Sequence, residues 1–331
     1  MSNGTYFARI DQQVTITNVG TPEVELTRSS SPATEVPLAV VVRDNQYLGH
    51  YFHLWEILTG VMAYLNADEA DSPFELCIGD QKLDFLENRM NSQFIHALFP
   101  AARITGRSCI NAASVIVADR FARKSGRLNK MLEFDQSRVI ETGAADRLRR
   151  RVLDSFGIEP RRDRKRAVMV IRKPIRELSI VARAKVQDVL EGLGLEVEHV
   201  DFAQMSFPDQ IATAAQAGVI AGVHGNGLTH ATFAQPGALL IEFFPPDCRH
   251  YDYQLLAELG DLHYLGVRQD RYWLSGDRSE WAFNRPNKPV TRFAPGWEAE
   301  VARLLESSGS LRRKLRFRLP RRLQPGPGRL R

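Results

Sequence analysis

The sequence predicts an α/β protein built as two Rossmann-like domains whose parallel sheets face a cleft, and three observations predict it. Strand-length apolar runs rich in Val, Ile and Leu alternate with helix-length patterns through both halves of the chain. That order places parallel strands in a sheet with helices on both faces. A polar, basic stretch, GIEPRRDRKR over 157–166, separates the halves and carries Pro160, as a linker would. The 331 residues, 44% of them hydrophobic, suffice for two cores of ordinary size.

Taken in order, 1–37 is an irregular, β-rich lead-in. The first domain, 38–156, has strand patterns near Leu38–Val42, Phe74–Ile78 and Ser114–Val117, alternating with helical patterns near Tyr51–Leu65 and Leu83–Leu98. After the linker 157–166, the second domain, 167–295, has strands near Ala167–Ile171, Glu196–Val200, Val219–Val223 and Ala238–Phe243. Helices near Ile180–Leu190 and Asp209–Gln216 alternate with them. A helix at Trp297–Leu305, within 296–310, is expected to cross back to the first domain, and 311–331 is a basic tail.

The most informative stretch is GVIAGVHGNGLTHATFAQPGALLIEFFPP, from Gly218 to Pro246. It reads as a strand, a glycine-rich turn, a short helix and a second buried strand. Gly225 and Gly227 lack side chains, so backbone N–H groups can approach a ligand closely. Helix formers follow from Leu228, and a helix N-terminus carries partial positive charge. Pro236 and Gly237 then end the helix before Ala238–Phe244. This is a place to hold a phosphate; glycines at such spacing also occur in turns that only join a strand to a helix.

The order Gly222, His224, Gly225, Gly227, Leu228, Thr229, then Pro236, Gly237, Glu242 and Pro245 resembles glycosyltransferase family 61. That family includes the EGF-domain O-linked N-acetylglucosamine transferases and plant xylan arabinosyl- and xylosyltransferases. VMVIRKPIR (168–176) resembles the strand with two arginines that opens the family's donor domain. YQLLAELGDLHYLGV (253–267) resembles its sequel, and YLGHYFHLWEIL (47–58) resembles its early segment with a His before an acidic residue. The likeness covers roughly Leu38 to Val267. Ser179 and Ile180 depart from it where the family has Asn, as does His230 at another position where Asn is common. The resemblance implies a GT-B-like architecture and inverting transfer of a sugar from a nucleotide diphosphate sugar, with UDP as the expected nucleotide. The acceptor it implies is a glycan, a lipid-linked precursor or a surface polysaccharide.

Such a transfer leaves a diphosphate whose charge must be neutralised. The sequence contains no D-x-D, so arginines and a helix N-terminus are the expected metal-free solution, with no metal and no cofactor. Arg172, at the end of its strand, and Arg176, one loop later, are the candidate diphosphate ligands. The turn Gly225, Asn226, Gly227, Leu228 and Thr229 supplies backbone donors. His224 either bonds a phosphate or sugar hydroxyl or braces the turn. Glu242, in an apolar strand, must find a partner, either the donor ribose or an arginine. His50, His53 and Glu56 recur at three-residue spacing on one helix face. His53 is the candidate base with Glu56 supporting it, and the two roles are exchangeable. H-x-x-H-x-x-E also reads as a weak metal pattern or as a polar face at the domain interface.

Charge is unevenly placed. Nine of the 44 Lys and Arg lie in Leu311–Arg331, leaving 35 against 39 acidic residues in the body, which argues against a nucleic-acid surface. Leu315, Phe317 and Leu319 among those arginines suit an anionic membrane surface, and the closing PGPGR suits a solvated end. No long apolar run or leader pattern is apparent, so the expected location is cytoplasmic, peripheral on the inner face of the membrane. Cys77, Cys109 and Cys248 are scattered, which disfavours a disulfide framework or zinc site. A non-catalytic sugar-nucleotide or glycan-binding module is the alternative function. A Rossmann-type oxidoreductase fits poorly, because no G-x-G-x-x-G follows an early strand.

Overall fold

A computed structural model describes residues 8–19, 24–28, 36–42, 48–78, 89–118, 123–125, 130–132, 136–160, 165–172, 177–280 and 288–307. In chain order, the first half contains β1 (Ala8–Ile10), β2 (Val14–Thr17), β3 (Glu25–Arg28), β4 (Val36–Val42), α1 (Tyr51–Tyr64), α2 (Ala67–Asp71) and β5 (Glu75–Cys77). It continues with α3 (Arg89–Leu98), β6 (Arg103–Thr105), β7 (Ile110–Ala118), β8 (Arg123–Ser125), β9 (Lys130–Leu132), α4 (Gln136–Glu141) and α5 (Ala144–Ser155). The second half contains β10 (Arg166–Val170), α6 (Ile180–Gly192), β11 (Glu196–Val200), α7 (Phe207–Ala215), β12 (Val219–Val223), β13 (Leu239–Phe243), α8 (Asp252–Leu259), β14 (His263–Val267), β15 (Tyr272–Leu274) and α9 (Trp297–Ser307). Two 3₁₀ segments, Phe202–Gln204 and Asn226–Phe233, interrupt it.

The protein is a mixed α/β molecule with two sheets of mostly parallel strands. In the first, β4, β5, β6 and β7 run parallel in the order β7-β4-β5-β6. The lead-in is β-rich as its composition indicates. Its β1 and β2 lie end to end along the outer edge of β7, antiparallel to it, and β3 extends the sheet beyond β2. The second sheet has the order β11-β10-β12-β13-β14-β15, parallel except for β15.

Strand alternation sorts the second sheet's side chains onto two faces. Ala167 and Met169 of β10 pack with Ala182, Val186 and Leu190 of α6 and with Trp297 and Val301 of α9. Val168 faces the other way, with Phe207, Ile211 and Ala214 of α7. Helices therefore cover both faces here. The first sheet differs from the two-sided expectation. Helices α1, α3 and α5 contribute to the cluster on one face, whereas the other face buries strand residues such as Val14, Ile16, Ala39, Val41 and Val115. Among the described residues no helix joins that second cluster, because the lead-in strands supply its apolar partners.

The helical faces of the two halves meet in one apolar cluster. Phe94 of α3 packs edge-on against Phe207 and Phe233 with ring centroids 6.0 and 6.1 Å apart, and Phe156 packs on Phe207 at 5.9 Å. α1 is clamped at its C-terminal end by arginines. Arg9 donates to the Tyr64 carbonyl at 2.9 Å, Arg138 to the Ala63 carbonyl at 3.0 Å, and Arg147 to the Leu65 carbonyl at 3.2 Å and to the Met62 carbonyl. These guanidinium groups satisfy carbonyls that a helix end leaves open and complement its negative pole. The clamp fixes α1, whose other end reaches the second half. Among the described residues no helix is long and apolar enough to cross a membrane. The basic tail, Arg176 and the start of the helix expected from Leu83 lie outside the described residues.

Candidate active site

In the second sheet, β10 is followed through α6 by β11 on one side, and then through α7 by β12 on the other. Such a reversal of strand order opens a crevice at the C-terminal ends of the two inner strands, where open α/β sheets take ligands. β10 ends at Val170, opposite Gly222 of β12, so Arg172 and the turn at His224–Gly227 emerge side by side.

Gly225 has φ +149°, and a Cβ there would lie 1.4 Å from Nη1 of Arg172. Nη1 of Arg172 donates to the His224 carbonyl, which lays the guanidinium across the turn. At Gly227 a Cβ would come within 2.8 Å of Val170 Cγ1. Both glycines are thus required by close approach, one to a cation and one to the neighbouring strand. Alanine at 225 would meet both the steric overlap and the disfavoured backbone region. Gly225→Ala is expected to cost about 2 kcal/mol of stability, read by denaturant unfolding. A double variant with Arg172→Ala should regain the steric share, and an unchanged midpoint in the single variant would refute the packing described.

The turn continues into a 3₁₀ helix, Asn226–Phe233, rather than an α-helix. Its first amides, at Asn226 and Gly227, are those a helix start leaves without an internal acceptor. Leu228 donates back to the Gly225 carbonyl at 2.8 Å. The side chains of Leu228 and Thr229 are fully buried, so they brace the turn from beneath instead of facing a ligand.

A cavity of about 630 Å³ opens at this point, within the range of small-molecule sites. Val170, Ile171, Arg172, Asn226 and Gly227 line it together with Asp201, Phe202, Ala203 and Gln204, and Gly49, Tyr51 and Met90 reach it from the first half.

His224 is held in place by its neighbours. Its Nδ1 lies 2.5 Å from Glu242 Oε1, and the other carboxylate oxygen accepts from the Tyr264 hydroxyl at 2.6 Å. Glu242 is fully buried, with both oxygens committed. The partners its burial required are an imidazole and a phenol, in place of the expected arginine or ribose. The His224 ring stacks on His250 at 4.6 Å and meets Tyr253 at 5.3 Å.

His230 also lines the cavity. It is buried, stacks on Phe202 at 4.1 Å, and its Nε2 lies 2.6 Å from Gln210 Oε1. Gln210 spends its amide N–H groups on the Phe202 and Met205 carbonyls, so its oxygen faces Nε2 of the ring, while Nδ1 lies 3.1 Å from the Gly227 carbonyl; a neutral ring donates to one of these two acceptors. Burial pushes the imidazole pKa down to about 4. The unfolded chain then holds the proton over pH 4 to 6.5 while the folded chain does not, so stability falls as pH drops through that window. We expect a loss of about 3 kcal/mol across it, and a flatter profile in His230→Asn when unfolding is followed against pH. Parallel profiles would contradict the buried neutral ring. Ser179, the other departure from the family pattern, caps α6 by accepting the Ala182 N–H at 3.2 Å. Asn serves as well at that position of a helix, so the exchange is conservative.

The start of α1 straddles the 3₁₀ helix. Tyr51 contacts His230 at 4.9 Å, and Phe52 meets Tyr253 at 5.4 Å. One residue on, His53 Nδ1 lies 3.1 Å from Glu56 Oε2, with Glu56 fully buried and His53 partly exposed. A carboxylate on Nδ1 orients the ring and leaves Nε2 as its basic atom. His53 is not part of the cavity wall; Phe52 and Tyr253 connect it to the His224 side of the turn.

A grouping able to hold a cation, among the described residues, is His224, His250 and Asp252, whose ligand atoms lie within 4.8 Å of one another. The H-x-x-H-x-x-E run on α1 does not form one there. His250, Asp252, Tyr253, Asp201 and Gln204 were not singled out by sequence. Asp201 has a legible signal in hindsight, an acidic residue directly after a strand.

Fold and site together define an α/β protein with an arginine-bearing crevice at a sheet switch point. Residues 44–241, more than half the chain, match the family model described as Glycosyltransferase 61, and the chain belongs to that family: it is a glycosyltransferase. No curated protein matches the chain.

Proposed function

We propose that the protein is an inverting, metal-independent glycosyltransferase that takes a sugar from a nucleotide diphosphate sugar, with UDP as the nucleotide, and that its two sheets form a GT-B-like pair. The observation that carries this is the Arg172 guanidinium laid over Gly225 at the mouth of the switch-point crevice. A cation and the amides of Asn226 and Gly227 there suit a diphosphate. The acceptor oxygen attacks the anomeric carbon as the carbon–oxygen bond to the diphosphate breaks. The acceptor's proton passes to His53 Nε2, and the leaving charge settles on Arg172 and the turn amides. Glu56 orients His53, and Glu242 holds His224 toward the reacting sugar. A glycan, lipid-linked or surface-polysaccharide hydroxyl is the acceptor.

The test is release of nucleoside diphosphate from a panel of nucleotide sugars in EDTA, with the anomeric configuration of the product read by NMR. One donor should be consumed, and its sugar should appear with inverted configuration. Retained configuration would overturn the direct displacement. Donor binding without turnover would instead mark a sugar-nucleotide-binding module, a reading favoured by the position of His53 outside the cavity wall.

A further inference from the structure

We propose that Asp201 receives the ribose hydroxyls of the nucleotide and makes the cavity selective for ribonucleotides. This rests on the donor reading above and orients the donor within it.

With both oxygens of Glu242 committed beneath His224, the acidic side chain in the cavity wall among the described residues is Asp201. It directly follows β11, the strand beside β10. Val170 and Val200 are in register, and Ile171 donates to the Val200 carbonyl at 2.8 Å. Ile171 thus stands opposite Asp201, and Arg172 and Asp201 leave the ends of adjacent strands into the same cavity. Oδ1 of Asp201 accepts the Ala203 N–H at 3.0 Å, which fixes the carboxylate in the wall while Oδ2 remains for a ligand. An ionised carboxylate accepts two vicinal hydroxyls well.

Direction follows from the other side of the turn. The contacts leading to His53 run through Tyr253 and His224, on the β13 side. The sugar end of the donor belongs there, and the nucleoside end extends toward β11 and Asp201.

The test is titration of the intact protein with UDP, GDP, CDP and ADP, with their 2′-deoxy forms and with inorganic pyrophosphate, repeated on Asp201→Asn. The Asn side chain keeps the cap on Ala203, so unfolding midpoints should match. For the nucleotide that binds, loss of the 2′-hydroxyl is expected to weaken binding ten- to hundredfold in the unaltered protein. In Asp201→Asn the penalty should fall below about threefold, with pyrophosphate binding the same in both. Equal affinity for ribo and deoxy forms in the unaltered protein overturns the Asp201 assignment and leaves the donor reading standing. Failure of every nucleotide and of pyrophosphate to bind overturns both.

Discussion

Arg172→Ala is expected to weaken binding of the nucleoside diphosphate about a hundredfold, close to 2.7 kcal/mol. The guanidinium is held over the turn by its bond to the His224 carbonyl, in the space that a side chain at Gly225 would take. A diphosphate arriving there meets a cation already in place, so little ordering is required at binding. Removing it also frees one carbonyl, a loss of about 1 kcal/mol in stability. Arg172→Lys should fall between, because a lysine restores charge without the planar two-donor fork. Calorimetric titration of the three proteins decides the matter. Affinity within threefold of the unaltered protein in Arg172→Ala would remove the residue from the site.

His53→Ala is expected to lower turnover by a factor of about 10² to 10⁴ while leaving diphosphate affinity unchanged. The separation of the two effects is what identifies a base, since His53 lies outside the cavity wall and beside the Phe52–Tyr253 contact. Glu56→Gln should be milder, about tenfold to a hundredfold, because Gln can still hold a ring nitrogen but no longer stabilises the imidazolium. Kinetics with saturating donor would show this as a fall in kcat at constant KM. Turnover within threefold of the unaltered protein would assign the histidine to packing of α1, and a matching rise in KM would place it on the donor.

Much of the second half was legible because its strands are short and apolar and its turn residues are unambiguous. Glu196–Val200 and Val219–Val223 have the bounds the pattern gives, and the glycines at 225 and 227 are explained by contacts to Arg172 and Val170. That no helix among the described residues joins the first sheet's second buried face was not legible, since periodicity marks a buried strand without saying whether a helix or another strand buries it. Nor did the pattern show that the two halves share one apolar cluster through Phe94, Phe207 and Phe233. In the site, Arg172 and the turn could be read from position along a strand. The roles of Leu228, Thr229 and Glu242 could not, because side-chain direction after a glycine turn depends on whether an α- or a 3₁₀-helix follows. Glu242 shows the same limit. An acid in an apolar strand announces a partner, and only the fold identifies it as His224 and Tyr264.

The most direct test of a metal-free diphosphate site at the switch point is the unfolding midpoint of the unaltered protein with each nucleoside diphosphate, in EDTA and again with added Mg²⁺ or Mn²⁺. One nucleotide should stabilise the protein equally in both conditions, by about 2.7 kcal/mol at a hundredfold excess over Kd. Stabilisation that appears only with the divalent cation would contradict the account and shift attention to His224, His250 and Asp252. No stabilisation by any nucleotide would contradict it entirely.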